Sequence, residues 1–309
     1  MASIFSAKAY CQQHLADFDA IEKKVRSCPV IASSKSVNYA LTKLTMQNSS
    51  TVTDIAEVIA RDVSLTARLL RMVNSVFSGL SSKVTSIEEA IFFLGLRKIR
   101  QMAMATRVLE EMEAFIGEGM EISSSDYWRH SIGMAIMACE VLTMTNGVKD
   151  DDQYYISGLL ADAGKLVMLH SFPDEFKALL KFDESNPRDR LERERKEFGF
   201  THADLGAIYL EMNQLSPDVV ETVLFHHEPE KAGEGQFYAA GIGVADMLTR
   251  YAGFQAGFES PTSIEYGDWE STESWEMLFA SGRVGGKYAK ASILRSIDRL
   301  PSLLDGLLD

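Results

Sequence analysis

Apolar residues recur along most of the chain at spacings of three and four positions, which is the period of an amphipathic α-helix. No segment combines sustained alternation of apolar and polar residues with the β-branched enrichment and flanking turn residues of a strand. Internal repeats and low-complexity segments are also absent from the sequence. The pattern therefore predicts an all-α fold.

Helix boundaries follow from breaks in this pattern. Segment 50–79 contains two apolar stripes that are offset at Asp62, so it predicts two successive helices. A serine oxygen can accept a hydrogen bond from the first turn of a helix, and Ser64 is the expected cap of the second one. Ser86 and Glu89 have the spacing of a capping box, which predicts a further helix that begins after Ser86.

Two irregular stretches interrupt the helical pattern and divide the chain. Residues 115–126 contain glycine and serine without an apolar period, and residues 252–274 have the same character. We therefore expect three parts. They are an N-terminal helical lobe over 1–120, a helical bundle over 121–251, and a C-terminal extension with a loop and two helices over 252–309.

The composition indicates a globular cytoplasmic protein. The chain has 309 residues, 46% of them hydrophobic, which is enough to bury one large core or two smaller ones. No apolar segment approaches the length of a membrane-spanning helix, and the N-terminus lacks the pattern of a secretory signal. The cysteines Cys11, Cys28 and Cys139 are odd in number and lack a metal-like spacing, so we expect buried thiols in a reducing cytoplasm.

The charge balance argues against nucleic acids and membrane surfaces as partners. The net charge is −13, whereas both kinds of partner require a basic surface that displaces counterions. A helix expected from Leu96 to about Met112 forms, with the helix before it, a unit similar to a helix-turn-helix. Its positive charges, Arg97, Lys98 and Arg100, are too few to make DNA the favoured partner.

Polar residues of the kinds that bind metal ions occupy the apolar faces of five predicted helices. Residues three or four positions apart share a helix face, which places each of these groups among apolar neighbours. Imidazole and carboxylate groups are ligands for Zn, Mn and Fe ions, and two carboxylates with several histidines can hold two ions. The candidate ligands are His130, Asp162, His202, His226, His227 and Asp246.

Each candidate also has a purely structural interpretation. A histidine on an apolar face commonly bonds to a backbone carbonyl, and a pair such as His226 and His227 at a helix end can interact with the helix dipole. Asp246 can pair with a nearby arginine. Asp162 lies in the stretch SGLLADAGKLVML, an apolar helix in which a buried carboxylate is costly unless a partner compensates it. We expect imidazoles from other helices to be that partner.

The stretch around Asp162 resembles a known sequence signature. GLLADAGKLVML is similar to the GLLHDIGKLVL signature of HD-domain proteins. Further blocks of the chain resemble, in the same order, those of the HDOD domain, and the resemblance extends from about Val30 to Asp246. These blocks are RDVSLTARLLRMVNS, SIEEAIFFLGLRKIR, WRHSIGMAIMA, LERERKEFGFTHADLGAIYL and VLFHHEP.

The resemblance implies a helical N-terminal lobe and a bundle related to metal-dependent HD phosphohydrolases. In catalytic relatives the bundle binds one or two divalent metal ions through histidines and aspartates. Lys165 falls on the lysine that helps to neutralise the phosphate in active enzymes. Carried over by position, the metal ligands correspond to His130, Asp162, His202, His226, His227 and Asp246.

One position departs from the pattern that the resemblance implies. HD proteins have a His-Asp doublet, and this chain has Ala161 in place of the histidine that precedes Asp162. A methyl side chain cannot bind a metal, and the loss of one ligand weakens metal binding and disturbs the geometry that activates water. The resemblance therefore implies residual metal binding and removes support for catalysis.

The function that follows from the resemblance is regulatory. We expect a protein of bacterial signal transduction that binds a signalling protein or a small nucleotide-type ligand through a degenerate HD site. The alternative is a metal-dependent phosphohydrolase that acts on a nucleotide or cyclic dinucleotide, with Asp162 and Lys165 as catalytic residues. Either function is compatible with one or two divalent ions, and Fe, Mn and Zn are the candidates.

Overall fold

The computed structural model describes the chain in segments, and every regular element in those segments is helical. No β-strand occurs among the described residues, which confirms the predicted all-α fold. The described residues are 5–28, 51–76, 83–96, 99, 102–103, 105–106, 123–146, 152–180, 187–213, 215–256, 264–279 and 286–308.

The helices are numbered here in chain order. Two short 3-10 helices, Pro229–Lys231 and Asp268–Ser271, connect α-helices in the second half of the chain. The α-helices are α1 (Ala7–His14), α2 (Phe18–Arg26), α3 (Val52–Ala60), α4 (Val63–Val76), α5 (Ile87–Leu94), α6 (Ser124–Asn146), α7 (Asp152–Leu160), α8 (Ala163–Ser171), α9 (Pro173–Leu179), α10 (Pro187–Phe198), α11 (His202–Met212), α12 (Pro217–Phe225), α13 (Gln236–Tyr251), α14 (Glu273–Phe279) and α15 (Gly286–Leu308).

The chain divides into two units. The larger unit comprises Met1–Pro29 and Met112–Pro301, and the smaller unit comprises Val30–Glu111 and Ser302–Asp309. Within the larger unit, α6 packs against α7 and α13, α8 packs against α11, and α11 packs against α12. Within the smaller unit, α3, α4 and α5 contact one another.

The first expected part, residues 1–120, is wrong at its N-terminal end. Helices α1 and α2 belong to the larger unit, where both pack against α11. Cys11 and Phe18 are buried, and the backbone N of Lys8 donates a hydrogen bond to the Glu211 carboxylate at 2.7 Å. An amphipathic pattern shows that a helix has an apolar face but does not identify the neighbour that covers it.

One expected helix cap is confirmed and another is wrong. Ser86 Oγ accepts from the backbone N of Glu89 at 3.1 Å, and the Glu89 carboxylate accepts from the backbone N of Ser86. Helix α4 is capped by Asp62, whose Oδ1 accepts from the backbone N of Leu65 at 3.0 Å, and not by Ser64. Ser64 lies inside the helix, whereas the capping side chain belongs to the residue that precedes it.

The stretch SGLLADAGKLVML forms two helices and not the single helix that we expected. The chain breaks between α7 and α8, and Asp162 directly precedes α8. A β-carbon at Gly164 would collide with the backbone of His202 and of Gly206. The missing side chain thus lets α8 approach α11 closely, which brings Asp162 next to His202.

Some expectations fall on residues that the structure does not describe. Residues 107–122 are among these, and they include most of the boundary expected over 115–126 and the end of the helix expected from Leu96 to Met112. The stretch 252–274 contains the 3-10 helix Asp268–Ser271 and the first residues of α14. None of the described helices has the length and apolar character that crossing a membrane would require.

Candidate metal centre

The carboxylate of Asp162 lies at the centre of a buried polar cluster in the larger unit. Its Oδ2 is 2.9 Å from Nε2 of His130 and 2.8 Å from Nζ of Lys165. Its Oδ1 is 3.6 Å from Nε2 of His202 and 4.0 Å from Nε2 of His226. The two oxygens of this buried carboxylate therefore face two different groups of side chains.

Helix α6 supplies His130, and a backbone contact indicates which nitrogen of its ring carries a proton. Nδ1 lies 2.9 Å from the carbonyl O of Phe254, and because a carbonyl only accepts, Nδ1 carries a proton. In the neutral ring Nε2 then has a lone pair, yet it faces Oδ2 of Asp162 and, at 3.4 Å, Oδ1 of Asp246. Three acceptors close together in a buried site repel one another unless positive charge lies nearby.

Two basic side chains compensate the carboxylates on this side of the cluster. Lys165 contacts Asp162, and Nε of Arg250 lies 2.7 Å from Oδ1 of Asp246. Both basic side chains are buried. Burial opposes ionisation of Asp162, but Lys165 and His130 hold the pKa of this carboxyl well below its usual value. The cluster therefore contains an ionised aspartate beside internal cations.

Helix α11 supplies His202, and a buried glutamate orients its ring. Oε2 of Glu194 accepts hydrogen bonds from Nδ1 and from the backbone N of His202, both at 2.7 Å. Burial opposes ionisation of Glu194, but His202 and Arg190 lower the pKa of this carboxyl. Since Nδ1 donates to the carboxylate, the lone pair of the neutral ring is on Nε2, which faces Oδ1 of Asp162. A carboxylate behind a histidine is the usual support of a metal ligand.

The C-terminal end of α12 is followed by His226 and His227. Nδ1 of His226 donates to the carbonyl O of Val223 at 2.7 Å, so its Nε2 has a lone pair. Burial and the nearby His202 lower the pKa of His226 to about 4, and burial together with His226 lowers the pKa of His227. Nε2 of His227 lies 3.3 Å from Nε2 of His202. Neutral imidazole is the form that binds metal ions.

These residues fit a divalent cation. Oδ1 of Asp162, Nε2 of His226 and Oδ2 of Asp246 have no hydrogen-bond partner among the described residues. Buried polar atoms in that state are costly, and a cation among them would satisfy several at once. Two groups have ligand atoms within 4.8 Å of one another: Asp162, His202, His226 and His227 form one, and His130, Asp162 and Asp246 form the other.

A cleft of about 450 Å³ opens next to the histidine pair. Its volume is in the range of pockets that hold small ligands. Arg188 is the one basic residue among the described residues that line it. The lining also combines buried residues, among them His226, His227 and Met247, with exposed acidic residues, namely Asp189, Asp268 and Glu273.

The structure brings together all the candidate metal ligands and Lys165. The six candidate ligands and Lys165 all belong to the cluster around Asp162. The structural interpretations also apply, since His130 and His226 each contact a backbone carbonyl and Asp246 pairs with Arg250. A backbone contact at one ring nitrogen leaves the other nitrogen available, so the two interpretations are compatible.

Three charged residues of the cluster were missed by the sequence analysis: Arg190, Glu194 and Arg250. Arg250 follows Asp246 by four residues, the spacing of an ion pair within a helix, so a signal for it was present. Glu194 lies in the highly charged segment RLERERKEF, where the pattern does not distinguish a buried glutamate from its exposed neighbours.

Comparison with known proteins identifies the family. Residues 31–229, more than half of the chain, match the HDOD domain. The chain belongs to the HDOD family. The matched range of this HDOD protein includes five of the candidate ligands and ends before Asp246; the five are His130, Asp162, His202, His226 and His227. The resemblance found in the sequence is thereby confirmed.

Three solved structures share the fold of this HDOD protein. An HDOD domain protein of unknown function from Geobacter sulfurreducens has a TM-score of 0.67 and 19% identity, covering 93% of this chain and 99% of its own. A candidate signal transduction protein from Marinobacter aquaeolei VT8 has a TM-score of 0.65 and 17% identity, and the match covers 99% of this chain and 67% of that protein. A candidate metal-dependent phosphohydrolase from Shewanella amazonensis SB2B has a TM-score of 0.64 and 18% identity, and the match covers 93% of this chain and 97% of that protein. At these identities the likeness shows the fold alone.

A sequence relative comes from Treponema pallidum (strain Nichols), where it is an uncharacterized protein. It is 25% identical to this HDOD protein over 222 residues. The match covers 69% of this chain and 41% of the relative, so the HDOD protein spans less than half of that relative's length.

Proposed function

We propose that this HDOD protein is a regulatory module of bacterial signal transduction that acts by binding and not by hydrolysis. The observation that carries the proposal is the position of Lys165. Its Nζ lies 2.8 Å from Oδ2 of Asp162, and its side chain is 1% exposed. An ammonium group that neutralises a buried carboxylate is not available to a phosphate group that arrives from solution.

Other features of the cluster support the same proposal. Hydrolysis of a phosphate ester needs positive charge that reaches the phosphoryl oxygens. The other two buried cations of the cluster are also paired: Arg250 contacts Asp246 at 2.7 Å, and Arg190 contacts Glu194 at 3.4 Å. Ala161, at the position that the resemblance assigns to a metal-binding histidine, is buried and offers no ligand atom. The site has thus kept a polar core without the arrangement that catalysis requires.

The cluster is further proposed to hold one divalent metal ion, with Fe, Mn and Zn as candidates for this nitrogen and oxygen donor set. Its ligands are Asp162, His202, His226 and His227. Oδ1 of Asp162 and Nε2 of His226 have no hydrogen-bond partner among the described residues. A second divalent ion beside His130 would meet the like charges of Lys165 and Arg250. A bound ion would supply Lewis acidity and a fixed ligand geometry.

The proposed binding partner is a signalling protein. In support, the fold neighbour from Marinobacter aquaeolei is named as a candidate signal transduction protein. A small nucleotide-type ligand is the less favoured partner, because the cleft next to His226 is lined by Asp189, Asp268 and Glu273. Carboxylates at the mouth of a cleft repel phosphate groups.

The test measures turnover and metal content on one preparation of the full chain. Protein loaded with Mn²⁺, Fe²⁺ or Zn²⁺ and freed of excess ion is incubated with nucleotides and with a cyclic dinucleotide. The proposal expects about one ion per chain and no release of phosphate or linear dinucleotide above the level of the Asp162→Asn variant. Turnover that requires both the ion and Asp162 would overturn the proposal.

One observation favours a metal-dependent phosphohydrolase as the second candidate. The cleft reaches His226 and His227, and the neighbour from Shewanella amazonensis is named as a candidate enzyme of this kind. In such an enzyme Lys165 has to leave Asp162 to contact the phosphate. The Lys165→Met variant would then lose turnover while it retains the metal ion.

A further inference from the structure

The cleft that opens next to His226 has a charge pattern that the proposed function does not yet use. Three exposed carboxylates line it, those of Asp189, Asp268 and Glu273, and together they form what we call the acidic rim. Arg188 is the one basic residue among the described lining residues. The net charge of the rim and Arg188 together is therefore negative, which attracts cations and repels anions.

The guanidinium of Arg188 is itself engaged by carboxylates. Its Nη2 contacts Glu230 at 2.7 Å, and its Nη1 contacts Glu273 at 3.1 Å. These two carboxylates raise the pKa of Arg188, against the effect of partial burial. The guanidinium therefore belongs to an ion-pair network at the cleft, and its charge offsets only part of the acidic charge around it.

The inner part of the cleft lies next to buried atoms that lack hydrogen-bond partners among the described residues and could bind a cation. His226 is fully buried, lines the cleft, and has no hydrogen-bond partner for Nε2 among the described residues. That nitrogen lies 4.0 Å from Oδ1 of Asp162, which also has no hydrogen-bond partner among them. On the other side of Asp162, the buried cations Lys165 and Arg250 oppose the approach of a further positive ion.

We propose that this cleft is the route by which a divalent cation reaches the cluster, and that the acidic rim sets the rate of uptake. The inference rests on the metal site of the proposed function and assigns a role to residues outside that site. Asp189, Asp268 and Glu273 act at a distance, by raising the local concentration of cations at the mouth of the cleft. The same negative field repels the phosphate groups of nucleotides. The cleft therefore admits cations in preference to nucleotides.

The experiment measures the association rate of Co²⁺ with the chelator-stripped full chain by stopped-flow visible absorption. The Asp189→Asn/Asp268→Asn variant should load about three- to twenty-fold more slowly at low ionic strength, and the difference should shrink as salt screens the charges. Arg188→Gln should load faster than the wild type. A matched control, Asp19→Asn/Asp174→Asn, removes the same charge from exposed residues that do not line the cleft, and should load at the wild-type rate.

Three results would contradict this inference. If the rim variant and the control load at the same rate, the cleft is not the route of uptake, although the metal site stands. If Arg188→Gln slows loading, the field at the cleft does not act as proposed. If the wild type takes up no Co²⁺, Mn²⁺, Fe²⁺ or Zn²⁺ at all, the metal site of the proposed function fails, and the uptake route fails with it.

Discussion

Nε2 of His130 lies 2.9 Å from Oδ2 of Asp162, although the opposite nitrogen of the same ring already donates to a backbone carbonyl. Both side chains are buried, so solvent does not relieve the contact. Two acceptors this close in a buried site require compensating positive charge nearby. Lys165, which contacts the same carboxylate oxygen, shows that the fold itself already supplies one positive charge.

Substitution of Lys165 tests this balance of charge. In chelator-treated protein, Lys165→Met should lower the free energy of unfolding by about 3 kcal/mol, because it leaves a buried carboxylate with fewer partners. Added Mn²⁺ or Zn²⁺ should restore more stability to this variant than it adds to the wild type. Chemical denaturation with and without the ion measures both effects.

The Asp162→Asn variant is the counterpart of that experiment. It should also lose stability, because His130 and Lys165 then lack a carboxylate, but divalent ions should not restore it. An equal metal-induced stabilisation of Asp162→Asn and of the wild type would show that the ion binds elsewhere.

Acidification should destabilise the metal-free protein through His226. Its pKa is lowered to about 4 from an ordinary value near 6.5, so between these values the unfolded chain binds a proton that the folded chain does not. The free energy of unfolding should therefore fall as the pH drops from 6.5 to 4, by about 3 kcal/mol from this residue. His227 contributes in the same direction.

His226→Asn is the matched variant, because an asparagine amide can still donate to the Val223 carbonyl. Denaturation curves at pH 7 and at pH 4.5 should differ less for this variant than for the wild type. A loss of stability on acidification that is the same in both proteins would contradict the assignment to His226.

Glu194 is expected to support the metal ion through His202. Glu194→Gln removes the carboxylate that accepts from Nδ1 of His202, and should weaken metal binding by about 10- to 100-fold. Glu197→Gln serves as control, since Glu197 lies on the same helix but is exposed. Titration with a competing metal indicator measures both affinities. Equal affinities of the two variants would show that Glu194 does not support the metal ion.

Gly164 is expected to be required for the close contact of α8 and α11. Gly164→Ala places a β-carbon against the backbone of His202, and should cost at least about 2 kcal/mol. At Gly233 the nearest atom to an added β-carbon belongs to the flexible Glu221 side chain, so Gly233→Ala is the control and should have a small effect. Thermal unfolding of the two variants should show this contrast, and similar losses would argue against a special role for Gly164.

The sequence was sufficient to predict the fold class and to select the histidines and aspartates of the cluster. Helical periodicity places His130 and Asp246 on apolar faces, and a polar group on such a face is conspicuous. Glu194 was not found, because it lies among other charged residues in a segment that looks solvent-exposed. Its burial depends on the packing of α10 beside His202, which a periodic pattern does not contain.

The break at Asp162 is a second case in which packing and not pattern decided the structure. The apolar residues on both sides of Asp162 continue a helical period, and the stretch therefore predicted one helix. In the fold, Asp162 precedes α8 and its carboxylate contacts side chains from several helices. Gly164, which permits the close helix contact, was present in the sequence, but its neighbour was not known.

The single-ion site is tested most directly by anomalous diffraction from crystals of the full chain loaded with Zn²⁺, recorded on both sides of the zinc absorption edge. One strong peak is expected, bounded by Asp162, His202, His226 and His227. The absence of a peak in the cluster would contradict the metal site. A second peak beside His130 and Asp246 would contradict the claim that Lys165 and Arg250 take the place of a second ion.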